Sequence, residues 1–115
     1  MPGYHFTQRT EGHQASLQKR EREVETAVRR AIRGLVQEPT ICVHETHFHL
    51  FAEIKEKDKL PLIEKIKTHI APLGVQWNAS YHCTPIESVK KTFVNQMLKE
   101  LHKDHGFSPT NRSQT

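Results

Sequence analysis

The sequence of 115 residues contains only two cysteines and no long apolar run. Cys42 and Cys83 are far apart and form no Cys-x-x-Cys pair, which favours a reduced intracellular protein over a disulfide-stabilised one. No apolar run approaches the roughly 18 residues that a membrane-spanning helix needs. The N-terminal residues, MPGYHFTQRT, also lack the apolar region of a signal peptide. We therefore expect a cytoplasmic protein.

The composition is that of an ordinary soluble domain, with 35% hydrophobic and 26% charged residues. We expect one domain over residues 1–104, followed by a disordered tail at residues 105–115, GFSPTNRSQT being its main part. The net charge of +4 and the pI near 9.2 favour a polyanionic partner such as nucleic acid. Net charge alone, however, indicates only non-specific attraction.

The spacing of apolar residues predicts the element order β-α-β-β-α-β-α. Leu17, Val24, Val28 and Leu35 mark the buried stripe of the first helix, which Pro39 should stop. The predicted elements are a strand at residues 3–9, a helix at 15–37, a hairpin at 40–54, a helix capped by Asp58 and ended by residues 72–74, a strand at 75–83, and a final helix begun by a capping box at 84–87. This order predicts a ferredoxin-like α+β fold, a four-stranded antiparallel sheet with helices packed on one face.

The third strand of this fold carries His47-Phe48-His49. Side chains alternate along a strand, so the two imidazoles project from the same face, where they can bind a divalent metal. The first and third strands are expected at the centre of the sheet, which places both histidines mid-sheet. If Glu45-Thr46 is a two-residue turn, then His44 faces His47, and Cys42 faces His49.

Three segments then point to one protein family: PGYHFTQR at the start, HFHLF in the third strand, and W-x-x-S-Y followed by SVKKTFVNQ. In this order they resemble the single-tyrosine HUH transposases of the smallest insertion sequences and their relatives associated with repetitive extragenic palindromes. The resemblance spans residues 3–103. It implies a DNA-binding protein that cuts a single-stranded DNA hairpin through a covalent tyrosine intermediate, and it implies a homodimer.

The resemblance also implies roles for individual residues. His47 and His49 match the pair that holds Mg²⁺ or Mn²⁺, and Gln96 matches the third ligand on the final helix. The nucleophile position, four residues before that glutamine, is Thr92, and the final helix contains no tyrosine. Threonine has a far higher pKa than a phenol, so family-like strand transfer is in doubt. Tyr81 is a phenol that could substitute for the missing nucleophile.

Other residues are candidates for nucleic-acid contact or for a different metal. Trp77 is better explained by packing in the core, although it could stack on an unpaired base. Cys42 and His44 are alternative ligands that, with the histidine pair, would suit Zn²⁺. The candidates for phosphate contacts are Arg9, Arg29, Arg30, Arg33, Lys90, Lys91 and Lys99.

Three functions therefore remain open from the sequence. The first is a transposase-like protein with a metal site and an altered or absent nucleophile. The second is a domesticated, catalytically inactive regulator that binds a DNA or RNA hairpin. The third is a small domain stabilised by zinc.

Overall fold

The computed structural model describes residues 2–13 and 16–104, in which four strands and three helices follow the predicted order. The predicted disordered tail lies outside the described residues. No helix in the described ranges is long and apolar enough to cross a bilayer. The elements are β1 (Gly3–Thr10), α1 (Glu21–Ile32), β2 (Val36–Val43), β3 (His47–Ile54), α2 (Lys59–Ile70), β4 (Trp77–Ile86) and α3 (Lys91–Asp104).

The four strands form one antiparallel sheet in the order β2-β3-β1-β4. This order confirms the predicted ferredoxin-like fold and the central places of β1 and β3. Because β3 has a partner strand on each side, every residue from His47 to Ile54 except Glu53 is buried. The histidine pair therefore lies mid-sheet, as predicted.

The two faces of the sheet have different chemistry. Tyr4 and Phe6 of β1 point with Leu50 of β3 into the core beneath α1 and α2. The intervening side chains, among them His5, project from the opposite face because side chains alternate along a strand. We call this second face, which carries His5, Thr7, His47 and His49, the histidine face.

The first helix is shorter than the predicted span of residues 15–37. It begins at Glu21, after Lys19 adopts a positive φ of 66°, and it ends at Ile32. Gly34 has φ 79°, which a residue without a Cβ adopts at no steric cost, and it turns the chain into β2. Pro39 therefore lies inside β2 and does not stop the helix. The apolar spacing continues to Val36 although the helix does not, which explains the error.

The start of the last helix was also predicted wrongly. Thr84 and Pro85 continue β4, and α3 begins at Lys91, where the Ser88 hydroxyl accepts a hydrogen bond from the Lys90 N–H at 3.1 Å. Proline is tolerated here because β4 is an edge strand, where a missing N–H need not break a ladder. Asp58 precedes α2 as predicted, but its side chain makes no capping hydrogen bond.

The segment between β4 and α3 passes over the histidine face near the start of β1. A Cβ built on Gly3 would meet the Val89 Cγ1 at 3.1 Å, so Val89 lies directly against this backbone. Val94 of α3 and Phe51 of β3 are fully buried, yet neither belongs to the core cluster beneath α1 and α2. Apolar packing therefore exists on both faces of the sheet.

Candidate metal centre

The turn between β2 and β3 brings three histidines together. The His44 N–H donates to the His47 carbonyl at 2.8 Å, and Cys42 is the register partner of His49. This is the register predicted for a turn at Glu45-Thr46. His44, His47 and His49 are 2–4% exposed, and one ring nitrogen from each lies within 4.8 Å of the others.

The distance between two of these rings fits shared coordination of one ion. The Nε2 atoms of His47 and His49 are 3.1 Å apart. At metal–nitrogen distances of about 2.0–2.1 Å, two ligands at a tetrahedral angle would be about 3.3 Å apart. The cluster as described contains no carboxylate. It is therefore compatible with a divalent metal bound through imidazole nitrogens.

The remaining ring nitrogens of this pair are held by neighbouring groups. His47 Nδ1 lies 2.9 Å from the Thr46 hydroxyl. His49 Nδ1 lies 2.8 Å from Nε2 of His5 and 3.2 Å from the Thr7 hydroxyl. Such partners fix the orientation of a ligating imidazole and increase its basicity. Both rings are thus oriented with their Nε2 atoms towards each other.

His5 was not predicted to belong to the site. Burial, with a smaller effect of His82, lowers the pKa of His5 to about 4, so its ring is neutral at pH 7 and its Nε2 can accept a hydrogen bond from the Nδ1–H of His49. Its ring also stacks on Phe51 at 4.5 Å between centroids. The available signal was positional, because His5 shares a face with His49 once β1 and β3 are taken as neighbours.

Cys42 lies beside the cluster and not within it. Its Sγ is 3.4 Å from Nε2 of His44, but it is not among the groups whose ligand atoms all lie within 4.8 Å of one another. Burial raises the pKa of the Cys42 thiol, which opposes the thiolate form that binds metal. Its role as an alternative ligand stays a prediction.

A pocket of about 280 Å³ lies over the histidine pair. Arg9 and Thr7 of β1 form part of its wall, and His82 and Thr84 of β4 form another part. Arg9 is the register partner of His47, so its side chain projects from the same face. Among the described residues that line this pocket, Arg9 is the one that was predicted to contact phosphate.

The structure does not bring the predicted residues of α3 into this pocket. Thr92 and Gln96 are exposed, and neither is among the described residues that line it. Tyr81 lies on the opposite face of the sheet, where its ring packs on Phe6 at 5.6 Å. Tyr4 is on that face too, and its hydroxyl donates to Glu56. Both phenols are therefore separated by the sheet from the histidines of their own chain.

The other predicted contacts are spread over the molecule. Trp77 is half-buried, packs edge-on against Phe48 at 5.6 Å and donates through Nε1 to the Ile70 carbonyl at 3.2 Å. It therefore occupies the packing position that the sequence favoured. Arg29 is paired with Glu25 at 2.8 Å. The remaining candidates are exposed: Arg30, Arg33, Lys90, Lys91 and Lys99.

Comparison with known proteins finds similarity in structure and not in sequence. No protein-family model matches the chain, and no curated protein matches it. A REP-associated tyrosine transposase bound to a REP hairpin superposes with a TM-score of 0.58 at 16% identity, over 93% of this chain and 70% of that one. A protein assigned as a transposase from Deinococcus radiodurans R1 superposes with a TM-score of 0.59 at 17% identity, over 85% and 88% of the two chains. The chain therefore has the fold of these transposases.

Proposed function

We propose that this chain is a transposase-like protein that binds a single-stranded DNA hairpin against a divalent metal ion on the histidine face. The observation that carries the proposal is the approach of the His47 and His49 Nε2 atoms to 3.1 Å while both Nδ1 atoms are held by other groups. The fold shared with a transposase bound to a REP hairpin supports nucleic acid as the ligand.

His47 and His49 would hold the ion, with His44 as the third ligand supported by its place in the cluster. Gln96 is the ligand that the family resemblance adds, although it is not among the described residues that line the pocket. When bound, the ion would supply Lewis acidity towards a phosphoryl oxygen. Because all three clustered donors are imidazole nitrogens, Mn²⁺ or Zn²⁺ suits this set better than Mg²⁺, which prefers oxygen.

The residues around the pocket can position a phosphodiester. Arg9 lines the pocket, and a guanidinium matches two phosphate oxygens at once. Thr84 contributes a hydroxyl from the edge strand, which can donate a hydrogen bond to phosphate. These side chains would orient the backbone of a bound strand without reading its sequence.

The chain is poorly equipped for the cleavage step of tyrosine transposases. Thr92 offers an alcohol, which is a weaker acid than a phenol and a poorer leaving group when the strand is rejoined. Tyr4 and Tyr81 lie on the other face of the sheet from the histidines. We therefore propose that the native chain binds the hairpin without forming a covalent protein–DNA intermediate.

The test combines a binding assay with a search for the covalent product. A labelled single-stranded DNA hairpin should bind in Mn²⁺, and chelation or the double variant His47→Ala with His49→Ala should weaken binding at least about tenfold, the effect of about 1.4 kcal/mol. The native chain should give no denaturation-resistant protein–DNA band, whereas Thr92→Tyr should give one and Thr92→Phe should not. Absence of hairpin binding by the native chain would refute the proposal.

A second candidate is a regulator that binds a DNA or RNA hairpin and performs no chemistry. The placement of both phenols away from the histidine face favours it. In that case binding would persist in chelator and in the double histidine variant. A homodimer, implied by the resemblance, would serve either function.

A third candidate, a zinc-stabilised domain, is favoured by the contact between Cys42 and His44. It predicts one Zn²⁺ copurifying per chain and a large loss of thermal stability in chelator. Purified protein that contains no zinc would exclude it.

A further inference from the structure

A groove between the outer surfaces of α1 and α2 combines positive charge with a shape open to a large ligand. Its volume is about 590 Å³. The α1 wall consists of Arg22, Glu23, Thr26, Ala27 and Arg30, and Thr68 and His69 of α2 contribute to the other wall. We call this the α1–α2 groove. The sheet lies between it and the histidine face, so it is a separate site.

Three of the α1 residues that line the groove are regularly spaced. Arg22, Thr26 and Arg30 recur every four residues, which places them along one side of the helix. At a rise of 1.5 Å per residue, the backbones at Arg22 and Arg30 are about 12 Å apart. The major groove of B-form DNA is also about 12 Å wide. Two arginines on a rigid helix can therefore contact phosphates on both sides of such a groove.

The two arginines of the groove differ from the arginines next to them in the chain. Arg20 is paired with Glu23 at 3.0 Å, and Arg29 is paired with Glu25 at 2.8 Å. Within the described ranges, Arg22 and Arg30 form no ion pair. Among the described residues that line the groove, the one acid is Glu23, which is already paired with Arg20. The positive charge facing the groove is thus left for an external anion.

The lining also distinguishes between forms of nucleic acid. Proteins that bind single strands stack the bases on aromatic side chains. Among the described residues that line the α1–α2 groove there is no Phe, Tyr or Trp. The His69 ring is held by its Nδ1, which donates to the Lys65 carbonyl at 2.8 Å. The groove therefore offers positive charge but no aromatic ring on which an unpaired base could stack. Such a surface suits the phosphates of a double strand, whose bases are already paired.

We propose that the α1–α2 groove binds the phosphodiester backbone of a double-stranded stem, through Arg22 and Arg30, independently of the metal centre. The inference deepens the proposed function, since a hairpin supplies such a stem. It assigns the unpaired part of the ligand to the histidine face and the paired part to the opposite side of the molecule.

The experiment compares two double variants that remove the same charge from α1 and its immediate ends. Arg22→Ala with Arg30→Ala changes the groove, whereas Arg29→Ala with Arg33→Ala removes two arginines that do not line it. Binding of a labelled blunt duplex and of an unstructured single strand is followed by fluorescence anisotropy over a range of salt concentrations. Thermal unfolding and metal stoichiometry report whether each variant keeps its fold and its metal centre.

We expect the groove variant to bind the duplex about tenfold more weakly, with the slope of log K against log salt reduced by about two, one for each lost phosphate contact. The control variant should stay within about twofold of the native chain, and the single strand should be affected less than the duplex. Equal losses in both variants, or none in the groove variant, would overturn the proposal. Displacement of the duplex by poly-glutamate at equal charge concentration would also overturn it, because the groove would then fit an acidic protein.

The outcomes separate this inference from the proposed function. If hairpin binding depends on metal and on His47 and His49 but not on the groove, only the groove proposal fails. If the groove variant loses duplex binding while metal and the histidines have no effect on the hairpin, only the metal-dependent function fails. If the native chain binds neither duplex nor hairpin, both fail.

Discussion

Nε2 of His5 lies 2.8 Å from Nδ1 of His49, which connects the first strand directly to the candidate metal centre. His5 is therefore expected to act as a positioning residue for the His49 ring. Replacing it with phenylalanine should keep the stacking on Phe51 but remove the acceptor for His49. Loss of such an outer partner typically lowers metal affinity by about 10–100-fold.

The measurement for His5→Phe is titration of the chain with Mn²⁺ and Zn²⁺ by calorimetry. His82→Ala is the matched control, because His82 lines the same pocket but is exposed. The control should keep metal affinity within about threefold of the native value. This change is well below the loss of about 10–100-fold expected for His5→Phe. Native-like affinity in His5→Phe, with unchanged thermal stability, would show that His5 has no positioning role.

Metal binding should also stabilise the fold, since the three clustered histidines come from both ends of one hairpin turn. A ligand at 100 times its dissociation constant stabilises the native state by about 2.7 kcal/mol when it does not bind the unfolded chain. Thermal unfolding of the native chain should therefore shift upward with added metal. The shift should be absent after His47→Ala with His49→Ala and reduced after His44→Ala, and His69→Ala should leave it unchanged.

The fold was largely predictable because the buried residues of each strand or helix recur at the spacing that is typical of that kind of element. The run from His47 to Ile54 and the stripe of Leu62, Ile63 and Ile66 were assigned to the correct elements. Errors occurred at boundaries where tertiary packing overrides local signals. The capping-box pattern at residues 84–87 is a strong local signal for a helix, but pairing with β1 extends the strand through it.

The site was predictable only where one element determines it. The hairpin alone brings His44, His47 and His49 together, and the alternation of side chains was enough to predict that contact. His5 is more than 40 positions away in sequence, and its contact with His49 depends on strand pairing. The positions of Thr92 and Gln96 depend on how α3 packs, which no local pattern specifies.

Phe51 offers a test of whether the histidine face has a packed core of its own. Its side chain is fully buried, stacks on His5 and lies outside the core cluster beneath α1 and α2. Phe51→Ala should therefore lower the free energy of unfolding by about 3–5 kcal/mol, as expected for a buried phenylalanine. Phe48→Ala, on the other face, is the comparison. Urea denaturation measures both, and a loss of under about 1 kcal/mol at Phe51 would contradict the packing described.

The two thiols should react slowly in the folded protein. Burial raises the pKa of Cys42, and it raises the pKa of Cys83 although Lys59 partly opposes it. A higher pKa leaves less thiolate at pH 8, and the thiolate is the reactive form. Alkylation by iodoacetamide, followed by mass spectrometry, should be several-fold slower in the native chain than in guanidinium. Equal rates in the two states would indicate that both thiols behave as exposed groups.

The path from β4 into α3 can be tested at Gly3, because Val89 of this segment packs against it. A Cβ at Gly3 would lie 3.1 Å from Val89 Cγ1 and 3.3 Å from the Ile86 carbonyl oxygen. Gly3→Ala should therefore destabilise the protein by about 1–3 kcal/mol, the usual effect of overpacking. Val89→Ala removes one of the crowded groups, so the double variant should recover about 0.5–1 kcal/mol relative to additivity. Denaturation of the native chain, the two single variants and the double variant gives the coupling energy between residues 3 and 89. Additive effects on the free energy of unfolding would show that Val89 does not lie over Gly3.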